Sequence, residues 1–431
     1  MTRFIDINQY IYVELNQTKL GFPNRELGVL LLLAVVQFTN VLDFMVMMPL
    51  GPQLMRLMEM TPAQFGHVVS SYTFAAGLSG ILSAFFIDRF DRKRALLFVY
   101  IGFLMGTLSC ALAPGYKTLV FARALTGVFG GVLGALTLAI VGDLIPIERR
   151  GRGMGIIMTS FSLAAVVGVP TGLALANALS WHAAFFLISG LGLPILIALG
   201  FLIPPLRAHL EVARDGRERL WGLFENLRRD KAQAFALSLT PTLLLGHFTI
   251  VPFMSPYMVS NVGLSEYDLT YIFLFGGGAT LFSMPMTGRL SDRFGSAKIF
   301  TLTAALTTIP ILTITRLPRT TLWATLTIST IFFVIASARM VPAMTLITDV
   351  VPPQWRGGFM SLNGSFQQLS AGLASFIAGT IITRGPDGKL LNYQLAGYIA
   401  ALTSFACIFI SRRLRPHRET ESRAPEVVEL V

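Results

Sequence analysis

The chain has 431 residues, of which 53% are hydrophobic and only 13% charged. A soluble domain carries charge on about a quarter of its residues, so this composition excludes a soluble protein and points to the bilayer. The net charge of +11 suggests a nucleic-acid partner, but the basic residues are sorted by side of the membrane, and none is expected.

Residues 1–26 are polar and of mixed charge, without the short apolar core and small-residue cleavage site of a signal peptide. Twelve apolar runs follow, at about 27–50, 67–87, 95–113, 118–142, 154–176, 183–203, 234–258, 268–287, 298–315, 321–347, 359–382 and 393–411. Each is long enough to cross the hydrocarbon as a helix. Lipid offers no partner to an unpaired backbone group, and barrel strands would be shorter and more polar. The predicted fold is an all-α integral membrane protein, with twelve transmembrane helices in two pseudo-symmetric six-helix bundles at 27–203 and 234–411. The twelve runs are numbered here as spans 1 to 12.

The linker 204–233 holds seven basic and five acidic residues. Within it, Leu210, Val212, Leu220, Leu223 and Leu227 are spaced either as an amphipathic helix on the membrane surface or as part of a solvated linker. The tail 412–431 is polar. About 26 Lys and Arg fall in the N-terminal segment, the loops after even-numbered spans, the linker and the tail. About six fall on the opposite side: Arg56, Lys117, Arg316, Arg319, Arg384 and Lys389. This asymmetry places both termini in the cytoplasm. Cys110 and Cys407 lie inside spans 3 and 12 and read as small buried hydrophobes, with no disulfide implied.

Two charged turns recur in order, half a chain apart. Ala84 to Arg94, containing Asp88, Arg89, Arg92 and Lys93, returns as Gly288 to Lys298, containing Asp292, Arg293 and Gly295. Asp143-Leu-Ile-Pro146 with Arg150-Gly151 returns as Asp349-Val-Val-Pro352 with Arg356-Gly357. The chain is therefore two related halves in parallel.

Twelve helices, two halves and these turns resemble the major facilitator superfamily over nearly the whole length. The family's loop signature after span 2 is G-x-x-x-D-R-x-G-R-[RK]. The first copy keeps Asp88, Arg89, Arg92 and Lys93 but has Ala84 and Asp91 for the glycines. The second keeps Gly288, Asp292, Arg293 and Gly295 but has Ser296 in place of a base. The resemblance implies a conformational gate. Asp88 would face the positive N-terminus of span 11 near Gly358, Arg92 would meet Asp143, and Asp292 would face span 5 near Gly153. Arg123-Ala-Leu-Thr-Gly127 in span 4 resembles the family's R-x-x-q-G element. Gly168-Val169-Pro170-Thr171-Gly172 in span 5 is similar to the core of its antiporter motif, where small residues and a proline bend and pack the helix.

Asp43 is the one acidic residue deep in a predicted span, on a stripe with Gln37 and Asn40. It lies ~10 Å from the outer end of its helix, and Arg123 lies ~8 Å from the same side. The family's central cavity is lined by spans 1, 4, 7 and 10, where the pair would meet. Asp43 is then either a proton-binding carboxylate tuned by Arg123 or one end of a permanent bridge between helices. His247 in span 7 is either a packing residue or a cavity residue. Arg339 in span 10 demands an anion, carbonyls or water, and Gln367 in span 11 adds donors and acceptors.

No P-loop is present, so energy must come from an ion gradient. No zinc-ligand cluster, nucleophile elbow or haem motif is present, so neither an enzyme nor a cofactor is expected. The reading is a monomeric, proton-coupled exporter of small organic or amphiphilic compounds in a bacterial inner membrane. A sugar or metabolite transporter of the same family and a non-transporting sensor are the alternatives. The topology has a direct check. In intact cells a Ser422→Cys variant should resist a membrane-impermeant maleimide while Thr320→Cys reacts, and the reverse pattern overturns the assigned orientation.

Overall fold

The computed structural model describes residues 22–206, 230–352 and 356–414, with the side chains of Asp88, Ile147 and Glu148 excepted. The possible amphipathic segment of the linker lies outside them. Among the described residues, ten helices are long and apolar enough to cross a membrane. Two more, Pro62–Ser83 and Arg356–Ile381, are as long but richer in Gly, Ser, Thr and Gln. They occupy the positions of spans 2 and 11 and complete the twelve-helix order.

Local chemistry sets the ends. Span 2 begins with a capping box, in which the Thr61 hydroxyl accepts from Gln64 N (3.2 Å) and Gln64 Oε1 accepts from Thr61 N (2.9 Å). Asp91 caps span 3, Arg92–Ala111, by accepting from Lys93 N (2.8 Å) and Arg94 N (3.3 Å). The aspartate in the motif's glycine position therefore has a structural task. The second copy departs from the expected turn. Asp268–Phe294 runs as one helix through Asp292 and Arg293, and the chain reverses only at Gly295, whose φ of 92° suits glycine. Span 7 begins at Lys231, a few residues before the expected linker boundary, because Asp230 caps it by accepting from Ala232 N.

Three spans are interrupted. Span 1, Asn24–Val46, passes through a turn into a short helix, Gly51–Leu57. Span 5 contains a π-turn at Ala164–Gly168 between Ile147–Leu163 and Val169–Ala178. Pro170 has no N–H to return to the Val166 carbonyl, and the ladder widens there. Span 10 breaks between Leu322–Ala338 and Met340–Val350, where Pro342 likewise gives the Ala338 carbonyl no N–H. A two-residue hairpin, Thr383–Arg384 against Leu390–Leu391, joins spans 11 and 12 and was not foreseen.

The helix pairing repeats. Span 1 packs on spans 5 and 6, span 2 on 4, and span 3 on 4 and 6. The same pairs recur six helices later, as 7 with 11 and 12, 8 with 10, and 9 with 10 and 12. Between the halves, span 2 packs on span 11 and span 5 on span 8, contacts that the pseudo-symmetry exchanges.

The core divides by depth. Toward the basic end, which bears the Lys- and Arg-rich loops, there are two separate apolar clusters. One holds Leu33, Phe103, Leu136 and Ile157 of the first half, and the other Leu239, Phe300, Ile347 and Phe359 of the second. Toward the far end a single cluster runs through both halves, including Val46, Phe65, Phe185, Phe253, Ile314 and Tyr393. The halves thus share one core at the far end and hold separate cores at the basic end, where Ile81 of span 2 still packs against the second half's cluster.

Small residues permit the join. A Cβ on Gly66 of span 2 would stand 2.8 Å from Ser375 O and 3.0 Å from Gly379 Cα of span 11, backbone atoms that cannot rotate away. Gly66→Leu should therefore cost about 1–3 kcal/mol or more by overpacking. Gly278→Ala, with nothing within 4 Å of the new Cβ, should cost nothing. Thermal unfolding of the purified variants compares them, and equal midpoints would refute this account of the interface.

Candidate functional site

The stripe on span 1 faces the interior of the first half, where Gln37, Asn40 and Asp43 are all buried. Asp43 Oδ2 accepts from Arg123 Nη1 of span 4 at 2.7 Å, and Asp43 Oδ1 accepts from Thr107 Oγ1 of span 3 at 3.1 Å. The same Arg123 Nη1 also reaches the Asp43 carbonyl at 3.4 Å, while its Nε has no partner. The two charged side chains are 0% and 1% exposed. Backbone approach makes room for them: Gly127 and Gly131 of span 4 lie against the Tyr72 and Ala76 carbonyls of span 2, leaving no space for a Cβ.

Tyr72 extends the site. Its ring centroid lies 4.4 Å from the Arg123 guanidinium carbon, and its hydroxyl donates to Asn40 Oδ1 at 3.1 Å. Asn40 Nδ2 in turn donates to the Gly130 carbonyl at 3.2 Å. Asn40, expected at a substrate cavity, is thus occupied in tying spans 1, 2 and 4 together. Gln37 lies beside Gly134 and its Oε1 has no partner. From this cluster Phe44 stacks on Tyr72 (5.3 Å) and meets Phe248 of span 7 (5.7 Å), an aromatic link between the halves.

In the second half the candidate residues do not converge on one group. His247 packs parallel to Phe332, with centroids 6.0 Å apart and planes 11° apart. Gln367 Nε2 donates to Thr240 Oγ1 (3.2 Å), which donates to Asn363 Oδ1 (2.6 Å). Arg339 is 2% exposed at the break of span 10, and its Nη1 donates to Ser404 Oγ of span 12 at 3.2 Å.

At the basic end, Arg92 Nε donates to Asp143 Oδ2 at 2.9 Å, joining spans 3 and 4, and Lys93 Nζ donates to the Gly200 carbonyl at 2.7 Å. Asp88 and Arg89 lie in and at the end of a 3-10 turn, Ile87–Arg89. The Asp88 side chain and residues 353–355, before span 11, fall outside the described residues. Asp292, expected against span 5 near Gly153, is exposed, and Gly153 has Val141, Ile145 and Leu30 of its own half as its nearest neighbours. Arg293 lies over the Phe294 ring, 5.2 Å from its centroid. In span 5 a Cβ on Gly168 would meet Leu42 at 2.8 Å, and one on Gly172 would meet Val46 at 2.8 Å. Gly168, Pro170 and Gly172 therefore form a bent, close-packed seam on span 1.

The far end carries a polar latch that the sequence did not disclose. Arg56 Nε and Nη2 hold the Glu266 carboxylate from the other half in a two-pronged contact of 3.0–3.2 Å. Asn177 Nδ2 donates to the Glu266 carbonyl (3.2 Å), Tyr267 Oη donates to the Asn177 carbonyl (3.2 Å), and Gln53 Nε2 donates to Asn177 Oδ1 (2.5 Å). Arg56 and Glu266 are 210 residues apart, and nothing in the composition of either loop marks the partner.

The family model of the Major Facilitator Superfamily matches residues 33–277 and again 237–430. The chain belongs to the major facilitator superfamily. The double match agrees with the repeated helix pairing. Facilitator relatives include the MFS-type transporter YwfA of Bacillus subtilis (strain 168), 27% identical over 95% of this chain and 97% of that protein. The inner membrane transport protein YdhP of Escherichia coli (strain K12) is 24% identical over 85% and 92%. A bacterial homolog of the human lysosomal transporter Spinster, solved inward-facing and unoccupied, has the same fold with a TM-score of 0.73 at 15% identity, over 91% of this chain and 98% of that one. A D-xylose-proton symporter follows at 0.70 and 15%, over 91% and 97%. This facilitator is a membrane transporter and not an enzyme.

Breaking a buried ion pair by removing one partner leaves an uncompensated charge and costs about 3–5 kcal/mol. Asp43→Asn and Arg123→Gln should each destabilise the protein by that order, and the double variant should recover much of it. Thermal unfolding of the four proteins measures the coupling. Strict additivity would show that the pair holds nothing together.

Proposed function

We propose that this facilitator exports small organic or amphiphilic compounds from a bacterial cell in exchange for protons, by alternating access. In this reading the basic end is cytoplasmic, the protein acts as a monomer, and the structure is the state open to the cytoplasm. The division of the core carries the proposal: one shared core and the Arg56–Glu266 latch at the far end, two separate cores at the basic end. Rocking the halves about the span 2–span 11 and span 5–span 8 seams would exchange which end is fused. In the other state the Asp88, Arg92–Asp143 and Asp292–Arg293 loops would hold the basic end closed.

Asp43 is the proposed proton site. Its carboxylate is paired with Arg123 and Thr107 in this state, and any motion that draws span 1 away from span 4 strips those partners from it. A desolvated carboxylate without a cation takes up a proton. In exchange, the proton and the substrate would occupy their sites in different states.

Proteoliposomes with an imposed pH gradient test the assignment. Asp43→Asn should abolish gradient-driven accumulation of a substrate dye while leaving downhill counterflow. The Asp43→Asn/Arg123→Gln double variant should regain stability without regaining the gradient response. Full pH-driven accumulation by the stable double variant would refute proton coupling at Asp43. Separately, Glu266→Gln should weaken the latch and shift cysteine accessibility toward the far end. Unchanged accessibility would reduce the latch to a surface contact.

A further inference from the structure

Arg123 and Arg339 are both buried guanidinium groups, yet only one has a counter-ion. Arg123 meets Asp43. Arg339 donates from Nη1 to the Ser404 hydroxyl, and its Nε and Nη2 have no hydrogen-bond partner. No carboxylate among the described residues lies within ion-pair distance of it. The groups within electrostatic reach, His247 and Cys407, supply no negative charge to balance it. A guanidinium enclosed in a protein without an anion is costly, and such groups in membrane spans mark ligand or ion pathways.

The unpartnered atoms are specific. Nε and Nη2 form one edge of the guanidinium fork, with two parallel N–H groups matched to two oxygens of a planar anion. The same molecule provides the pattern, because Arg56 holds the Glu266 carboxylate with its own Nε and Nη2. In Arg339 that edge is formed, and no group among the described residues meets it.

Its position in the fold is equally specific. Arg339 occupies the break in span 10, between Ala338 and Met340, where Pro342 leaves the helix without a hydrogen bond. On one side of it Phe332 and Ala336 belong to the core shared by both halves. On the other, Ala343 and Ile347 belong to the separate core of the second half. The arginine thus sits at the depth where the fused region ends, beside a joint able to move. Met340 is half-buried and Met344 is 37% exposed, flexible apolar chains suited to an apolar body next to the charge.

We propose that Arg339 is the substrate's charge-recognition residue, and that the transported class is organic carboxylates with an apolar body, the carboxylate seated on the Nε–Nη2 edge as span 10 flexes at its break. This inference deepens the transport reading above and rests on it for direction, but it concerns binding alone and needs no gradient.

Thermal unfolding of the detergent-purified protein tests it with acetate, butyrate, benzoate and octanoate, against benzamide and sodium chloride at matched ionic strength. Benzoate and octanoate should raise the midpoint with saturating dose dependence, and benzamide and chloride should not. Arg339→Lys, which keeps the charge and loses the fork, should weaken benzoate at least tenfold, and Arg339→Gln should abolish the shift. The Asp43→Asn/Arg123→Gln variant should keep the benzoate shift, so a failure of proton coupling would leave this result standing. If Arg339→Gln does not fold, as read from its elution profile, the benzoate–benzamide contrast and the lysine variant still decide. No shift from any carboxylate, an equal shift from benzamide, or a benzoate shift that survives in a folded Arg339→Gln would each overturn the proposal. A shift from chloride as large as that from benzoate would assign the edge to an inorganic anion and overturn it too.

Discussion

Hydrocarbon offers no hydrogen bonds, and this structure follows from that constraint. Each polar group placed inside a span must find its partner within the protein, so the helices cannot be arranged by apolar packing alone. Asp43 finds Arg123 and Thr107, Asn40 finds Tyr72 and the Gly130 carbonyl, and Thr240 finds Asn363. The first two sets of contacts fix spans 1, 2, 3 and 4 in one register, the third joins spans 7 and 11, and a single added Cβ at Gly127 or Gly131 would push span 2 off span 4. The polar network and the small residues are one device: the glycines bring backbones close enough for the side chains to meet.

Between the halves the chemistry is different. Glycine, alanine and serine bring the backbones close in the seams of span 2 on span 11 and span 5 on span 8, as where Gly277 lies against the Ala165 carbonyl in the π-turn of span 5, though Leu369, Phe74 and the stacked His67 and Phe376 also line the first seam. Small residues let the helix backbones approach closely across these seams. What distinguishes the ends is added to these seams. The far end has the Arg56 latch and a continuous apolar core, and at the basic end the first half pairs Arg92 with Asp143 and Arg149 with Glu26. A latch that is partly exposed contributes little net stability, which is a requirement for a contact that has to break in every cycle.

Much of this was written in the sequence in a readable form. Twelve apolar runs, the sorted basic residues and the repeated turns depend on composition and order, and the meeting of Asp43 with Arg123 followed from equal depth on neighbouring helices. Contacts between distant loops left no such trace: Arg56 and Glu266 are ordinary surface residues until the fold brings them together. Asp91 misled in another way, since it occupies a glycine position of the loop signature yet serves as the cap of span 3. The symmetry also suggested more than it delivered. Asp292 repeats Asp88 in sequence but lies exposed near the end of a continuous helix that runs to Phe294.

That broken symmetry has an electrostatic consequence. At the offset of 206 residues that relates Asp143 to Asp349, Arg123 corresponds to Ser329, and Arg339 has Leu133 as its counterpart. The halves have therefore placed their buried cations at different heights, one neutralised by its own carboxylate and one not. The first half thus carries its buried cation within an Asp43–Arg123 pair, while the second carries a guanidinium with no carboxylate beside it among the described residues. In a low-dielectric interior the pair has little field at a distance and the lone cation a long one, so the electrostatic asymmetry of the two halves is centred on the break of span 10.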